Sequence, residues 1–346
     1  MSRKSRRATM AEVAARAGVS PMTVSYTYNE PSRVADETRA RVLLAAIELG
    51  YAGPDPAARS LRRGSTRTLG VVLGERLTYA FDDPQAVQFL AGIAEVSAEH
   101  GFGMTILPTS GSDADVQRVR DAAVDAFVLW TTSDDDPVLD AVAATRRPAA
   151  IQGGPARPGF TMIGADDRAA ARAIGAHAFN AARRPAVVSF PLGRDRTAAV
   201  VHGPDPASAS FPVTRHRLEG FRDAATDAGI AWQSVPVAVC ATNDADLAQA
   251  AAAGLIRDGH DAIAAMSDQQ ALGVLRAAER AGIAVPDRLA VTGWDDSETA
   301  RQRDLTSAAQ SLREQGRACA AKVLTGSHPG GGSSAWSITV RGSTRR

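Results

Sequence analysis

Apolar positions in the first fifty residues recur at helical spacing. Val42, Ala46 and Leu49 share one face of the stretch Asp36 to Leu49, and Gly50 follows, which predicts an amphipathic helix that stops there. Upstream, Thr9-Met10-Ala11-Glu12 forms a capping box, so a helix is expected from Met10. Gly18 supplies the left-handed conformation that ends it at Ala17. Ser20 caps a second helix, whose first-turn Pro21 has no amide to leave unpaired. Ala14, Gly18 and Val24 then give a small residue at a crossing, a turn and an aliphatic residue facing back. That spacing predicts a helix-turn-helix, a motif whose second helix enters the major groove of DNA.

From Thr68 the pattern changes. Short apolar runs, LGVVL, MTIL, AFVLW and PAAIQ, alternate with helical segments, the first near 87–100. A second series follows, in which AVVSF, VPVAV, AIAAM and LAVTGW alternate with helices expected at 214–228, 244–258 and 268–281. Such alternation implies parallel sheets with crossover helices, hence two doubly wound lobes with a ligand cleft beyond the carboxyl ends of their strands. The expected fold is a small all-α helix-turn-helix domain (1–52), a linker (53–66) and an α/β two-lobed domain with doubly wound parallel sheets (67–346). The segment 191–213 exceeds an ordinary strand-to-helix loop and is expected to be a flexible lid or surface insertion. The glycines of 327–334 precede a final strand, WSITVRG, and no Lys-Ser/Thr follows them, so they make no phosphate loop.

Charge sharpens this division. Residues 1–67 carry twelve Lys/Arg against six Asp/Glu, whereas the remainder carries 27 against 32. A basic head on an acidic body suits a polyanionic partner, because neutralising phosphates releases counterions. The basic N-terminus turns amphipathic instead of apolar, and no run approaches a membrane span, so a cytoplasmic protein without membrane contact is expected. Cys240 and Cys319 stand far apart, suggesting neither a disulfide framework nor a zinc site. The six histidines have no metal spacing, and HExxH, P-loop and nucleophile-elbow motifs are lacking. An enzyme and an exported solute-binding protein are the rival readings. The missing catalytic motifs argue against the first, and the basic head and missing export signal against the second. No cofactor and no metal are expected. Asp134-Asp135-Asp136 reads as an electrostatic helix start.

The stretch TMAEVAARAGVSPMTVSYTYNEPSRVADETRARVLLAAIELGYAGPDPAARSLRRG resembles the start of LacI/GalR transcriptional regulators across the helix-turn-helix and hinge. The resemblance places Pro21 and Met22 at the variable front of the recognition helix, where the family selects base sequence. It places Thr23, Ser25 and Asn29 at positions that touch or position phosphates, with Ser20 beside them. Tyr26 stands where many relatives carry a guanine-binding arginine, which implies a different operator. Ala35 stands where relatives have a capping serine, so Asp36 is expected to take over that cap. In the hinge, Leu61 matches the leucine that wedges into the minor groove, and Arg59 could contact phosphate or the groove. From Tyr51 to Leu61 the chain is one residue longer than the usual pattern.

The body resembles periplasmic sugar-binding proteins, most clearly in MSDQQALGVLRAAERAGIAVPDRLAVTGWDDS. By that resemblance Asp268 and Arg217 are the expected effector contacts, with Asp166 at a comparable strand end and Trp294 as a stacking wall or a core residue. Asp295 and Asp296 are expected to shape a crossover loop. The implied function is a sequence-specific DNA-binding regulator, a repressor controlled by a small-molecule effector, a sugar or sugar derivative, as inducer or corepressor. No C-terminal leucine heptad is present, so a homodimer on a near-palindromic operator is expected.

Overall fold

The computed structural model describes residues 8–54, 64–327 and 333–344. The chain divides into two compact units, Met1–Thr66 and Arg67–Arg346.

In the first unit, helices α1 (Met10–Ala17), α2 (Pro21–Asn29) and α3 (Asp36–Leu49) enclose a core of Val13, Ala14, Val24, Val42, Ala45 and Ala46. Thr9 and Glu12 close the capping box, and Gly18 ends α1 with a φ of 65°. Ser20 caps α2 by accepting from the Thr23 amide. Ala35 is the N-cap of α3 and no side chain caps that helix. Asp36 therefore does not assume the cap expected of it. It is the first helical residue, where its carboxylate suits the dipole instead.

The second unit is built on two sheets. Among the described residues the first has six strands in the order β12-β5-β4-β3-β1-β2. They are β1 (Thr68–Leu73), β2 (Gly103–Pro108), β3 (Ala126–Trp130), β4 (Ala149–Gln152), β5 (Phe160–Ala165) and β12 (Ser333–Ser334). Period-two alternation divides the core between the two faces. Leu69, Val71 and Leu73 point to one, with Phe89 and Ile93, while Val72, Phe127 and Leu129 point to the other. Helices α4 (Tyr79–Asp82) and α5 (Pro84–Glu99) follow β1. Helices α6 (Asp113–Asp121) and α7 (Pro137–Ala144) follow β2 and β3, and Asp136 caps α7 through the Val138 amide.

The second sheet has the order β13-β11-β10-β9-β6-β8-β7. Its strands are β6 (Pro185–Ser189), β7 (Ala199–His202), β8 (Pro236–Val239), β9 (Ala262–Ala265), β10 (Ala290–Asp295), β11 (Thr306–Ala309) and β13 (Ser337–Thr339). The outer strands β7 and β13 are antiparallel to their neighbours, and the rest are parallel. Helices α8 (Asp167–Phe179) and α9 (Pro212–Asp227) cover one face, and α10 (Ala245–Arg257) and α11 (Asp268–Arg280) the other. A short α12 (Glu298–Gln302) joins β10 to β11.

The chain crosses between lobes after β5, after β11 and after β12. Following the second crossing, α13 (Leu312–Thr325) returns to the first lobe and packs on α5. The two helices meet at Gly92 and Gly316. A Cβ at Gly92 would run into the Arg313 carbonyl, and one at Gly316 into that of Phe89. This contact fixes α13 firmly, which matters because α13 carries a cleft residue's partner.

Candidate functional site

The recognition face of the first unit is built from local hydrogen bonds. Ser20 Oγ lies 2.9 Å from Thr23 Oγ1, Thr27 donates to the Thr23 carbonyl at 3.0 Å, and Asn29 donates to the Ser25 carbonyl at 3.0 Å. Val24 faces the core, whereas Pro21 and Met22 face solvent, Met22 at 61% exposure. An exposed large apolar side chain at the front of a helix is free to meet a partner's surface. Tyr26 is half-buried, and the Arg33 guanidinium lies 5.0 Å from its ring centre. The fold thus brings an arginine beside Tyr26, itself held 3.0 Å from Glu30. Arg59 and Leu61 lie outside the described residues.

In the second unit a cleft of about 110 Å³ opens between the lobes. The first lobe contributes Glu75, Tyr79, Asp83, Trp130, Thr132 and Gln152, and the second Phe190, Arg196, Arg217, Asn243 and Asp295, with Gln310 at the crossover. Aromatic faces beside convergent polar groups are what a small hydroxylated molecule needs.

Of the four expected effector contacts, Arg217 lines the cleft. It is 5% exposed, donates to Asp167 Oδ1 at 2.8 Å and to the Met266 carbonyl, and lies 3.8 Å from the centre of the Trp294 ring. Trp294 is fully buried beneath it, so its ring supports Arg217 and it is not among the cleft-lining residues. Asp268 does not line the cleft either. Its carboxylate accepts from the Ser297 amide and the Ser307 hydroxyl, each at 2.7 Å, fastening the turn after β10. Asp166 is an exposed helix cap that accepts from the Ala169 amide at 3.0 Å, on a surface shared with Arg168 and Arg172.

The acid that the second lobe brings to the cleft is Asp295, one of the pair expected to shape a loop. Asp296 does shape the loop, through Arg341 at 2.5 Å and its carbonyl to Arg301 at 2.8 Å. Asp295, with a φ of 108°, instead faces the cleft and accepts from Gln310 Nε2 at 2.8 Å. Removal from water pushes its carboxyl well above the usual carboxylate range, the neighbouring Asp268 adds to this, and Arg217 opposes it. A strained backbone and a desolvated acid in one cleft mark a functional position.

Two groups of contacts across the cleft bear most directly on its closure. Asp83 uses Oδ1 to cap α5, accepting from the Gln85 and Ala86 amides at 2.8 and 2.9 Å. Its Oδ2 accepts from Asn243 at 2.6 Å, and Ser267, the cap of α11, donates to Asn243 at 2.5 Å. The caps of two helices in opposite lobes are thus joined through one asparagine. The second connection comes from 191–213. That segment forms the edge strand β7 and sends Arg196 to Glu75 (2.7 Å) and the Gly74 carbonyl (3.0 Å), and Arg194 to the Gly111 carbonyl (2.8 Å). Arg215, just beyond it, pairs with Asp134 at 2.5 Å. The expectation of a simple lid or insertion is corrected accordingly: its arginines tie the lobes together.

Among the described residues no cluster of three His, Cys, Asp or Glu could hold a metal, and no helix is long and apolar enough to cross a membrane.

Comparison with known proteins matches residues 9–53 to the bacterial regulatory proteins, lacI family, and residues 192–344 to a periplasmic binding protein-like domain. An HTH-type transcriptional regulator of Mycobacterium tuberculosis, Rv3575c, is 37% identical over 90% of this chain and 89% of its own. The crystal structure of a LacI family transcriptional regulator from Corynebacterium glutamicum is similar at 29% identity and a TM-score of 0.73, covering 99% of this chain and 100% of that one. A complex of the transcriptional regulator CelR with cellobiose is 26% identical with a TM-score of 0.68, over 97% of this chain and 100% of that one.

Proposed function

The chain belongs to the lacI family of bacterial regulatory proteins, DNA-binding transcriptional regulators, and from that premise we propose that it is a repressor whose hold on its operator is set by a hydroxylated small molecule closed between its lobes. The observation that carries this reading is the cleft, in which both lobes present polar groups and aromatic faces around one cavity while Asn243 and Arg196 bridge it. A relative crystallised with cellobiose supports a sugar or sugar derivative.

The mechanism is a population shift. A ligand that binds the closed lobes more tightly than the open ones favours closure by that difference in affinity. Closure moves whatever Asp83 caps, so α5 is the element that feels it. Arg217, held by Asp167, and Asp295, held by Gln310, are the groups that take the ligand. One helix-turn-helix reads one half-site, so two copies of the chain on a near-palindrome form the reading unit. Pro21 and Met22 choose bases, Thr23, Ser25, Asn29 and Ser20 set the helix on the backbone, and Arg59 and Leu61 act in the hinge. As a regulator of this kind it needs no catalytic group and works where the DNA is, in the cytoplasm.

The test is to incubate the full chain with fragmented DNA from its source at physiological salt and sequence what is retained, with and without a pool of neutral sugars and polyols. Enrichment of one near-palindrome whose recovery changes with the pool supports the reading. Retention without sequence preference under both conditions contradicts it.

A further inference from the structure

A chain of three glutamines joins the cleft acid to the opposite lobe. Gln310 Nε2 donates to Asp295 Oδ1 at 2.8 Å, Gln315 Nε2 donates to Gln310 Oε1 at 3.1 Å, and Gln152 Nε2 donates to Gln315 Oε1 at 2.8 Å. Asp295 ends β10 in the second lobe, Gln310 lies in the crossover, Gln315 is on α13 and Gln152 ends β4 in the first lobe. Asp295, Gln310 and Gln152 line the cleft; Gln315 is 1% exposed and lies behind it.

The order of donors and acceptors follows from one end. Gln310 turns its amino group to Asp295 Oδ1, an oxygen that can accept in either protonation state of the carboxyl. Its carbonyl then faces Gln315, which must donate, and the Gln315 carbonyl in turn faces Gln152, which must also donate. The far end of the chain is therefore the Gln152 carbonyl, an acceptor. Hydrogen bonds in series polarise one another, and a buried series leaves little freedom to any member. The close crossing at Gly92 and Gly316 holds the backbone beside Gln315 in place. A separate observation points to a ligand. Thr132 is 2% exposed, lines the same cleft, and its hydroxyl oxygen has no protein partner.

We propose that the Asp295–Gln310–Gln315–Gln152 chain fixes the hydrogen-bond polarity of the cleft, with Gln315 as its positioning residue, so that the site takes an uncharged polyol donating hydroxyl hydrogens to both Asp295 and Gln152. This rests on the effector reading above and deepens it. Anionic ligands fit poorly. The cleft's arginines are already engaged, Arg196 by Glu75 and Arg217 by Asp167, whereas Asp295 and Asp83 are held by the neutral amides of Gln310 and Asn243.

The experiment uses the full chain, with tryptophan fluorescence as the readout, since Trp130 lines the cleft. The probes are D-ribose, D-glucose, cellobiose and D-mannitol, with glucose 6-phosphate as the anionic control. At least one neutral probe should saturate and the phosphate should not. Gln315→Met should raise the half-saturating concentration at least tenfold and erase discrimination against single-deoxy analogues of the bound probe, with operator retention in the absence of ligand little changed. Saturation by the phosphate alone, or a Gln315→Met response within twofold that keeps the wild-type discrimination, overturns the proposal. If every probe is silent the effector reading fails instead, and the chain is then tested without ligand. Asp295→Ala should shift the side-chain amide resonances of Gln310, Gln315 and Gln152 together in ¹⁵N spectra. A shift confined to Gln310 overturns the chain even where Gln315→Met does not fold.

Discussion

The recognition face and the cleft hold their side chains in place by opposite means. In the head the side-chain hydrogen bonds that shape the recognition helix are short in sequence: Ser20 to Thr23, Thr27 to Thr23, Asn29 to Ser25, three or four residues apart. In the cleft, Asp83 and Asn243 are 160 residues apart and Gln152 and Gln315 are 163 apart. Local ties form wherever the helix forms, so the head can change its base preference without disturbing its frame. The cleft's ties exist only when both lobes are folded and adjacent, which makes the cleft sensitive to lobe closure. The part that must stay constant is built locally, and the part that must respond is built from distant segments.

Substitutions at the extremes should separate the two regions. The largest expected effect is Asp295→Ala, which should weaken the response to effector about ten- to a hundredfold, as loss of a strong hydrogen-bonding group in a buried site costs roughly 1.5–3 kcal/mol. Operator affinity without effector should stay within about twofold by fluorescence anisotropy; a parallel loss of operator affinity would erase the distinction between regions. Next, Leu61→Ala should reduce specific operator binding far more than non-specific binding, if the hinge acts as the family resemblance implies, and equal losses in filter binding would refute the wedge. Met22→Ala should redirect base preference by about 1–3 kcal/mol at one position of each half-site, read by sequencing selected DNA, with the effector response intact. The smallest effect belongs to Ser20→Ala, about 1 kcal/mol of stability from a lost helix cap, visible as a lower Tm of the head alone among thermal transitions.

The pH dependence sharpens the comparison further. Asp295 titrates above the ordinary aspartate range because it is desolvated beside Asp268, with Arg217 and Gln310 opposing and Asp83 adding to the rise. A carboxyl whose pKa is raised by folding stabilises the protein below its unfolded value and loses that contribution as pH rises through the raised value. Asp295→Asn should therefore gain stability relative to wild type as pH increases from about 4 toward 8. A constant difference in Tm across that range would contradict the desolvated carboxyl.

The same division explains what could be read from residues alone. The capping box at Thr9, the stop at Gly18 and the helix Asp36–Leu49 all depend on neighbours within a turn or two, and the structure places them where the pattern does. The continuous apolar runs became buried strands because parallel sheets covered on both faces need them. In the cleft, Arg217 was legible only through the family resemblance of the stretch around Gly220. Asp268 was not: as the first residue of α11 behind its Ser267 cap, it turns under the β10 loop, leaving the cleft to Asp295. Nor could spacing reveal Gln152, Gln315 or Asn243, whose partners arrive only through the crossings between lobes. The arginines of 191–213 were hidden for the same reason, because their acceptors lie some eighty to a hundred and twenty positions earlier in the chain.

The central claim is that effector occupancy of this cleft controls which DNA the head retains. Its most direct measurement is sequencing of genomic fragments retained by the wild-type chain and by Asp295→Ala, each with and without the pool of neutral sugars and polyols. The account expects both proteins to enrich the same near-palindrome without the pool, and only the wild type to change its retention when the pool is added. An equal response from Asp295→Ala, or a different sequence enriched by it, would contradict the account.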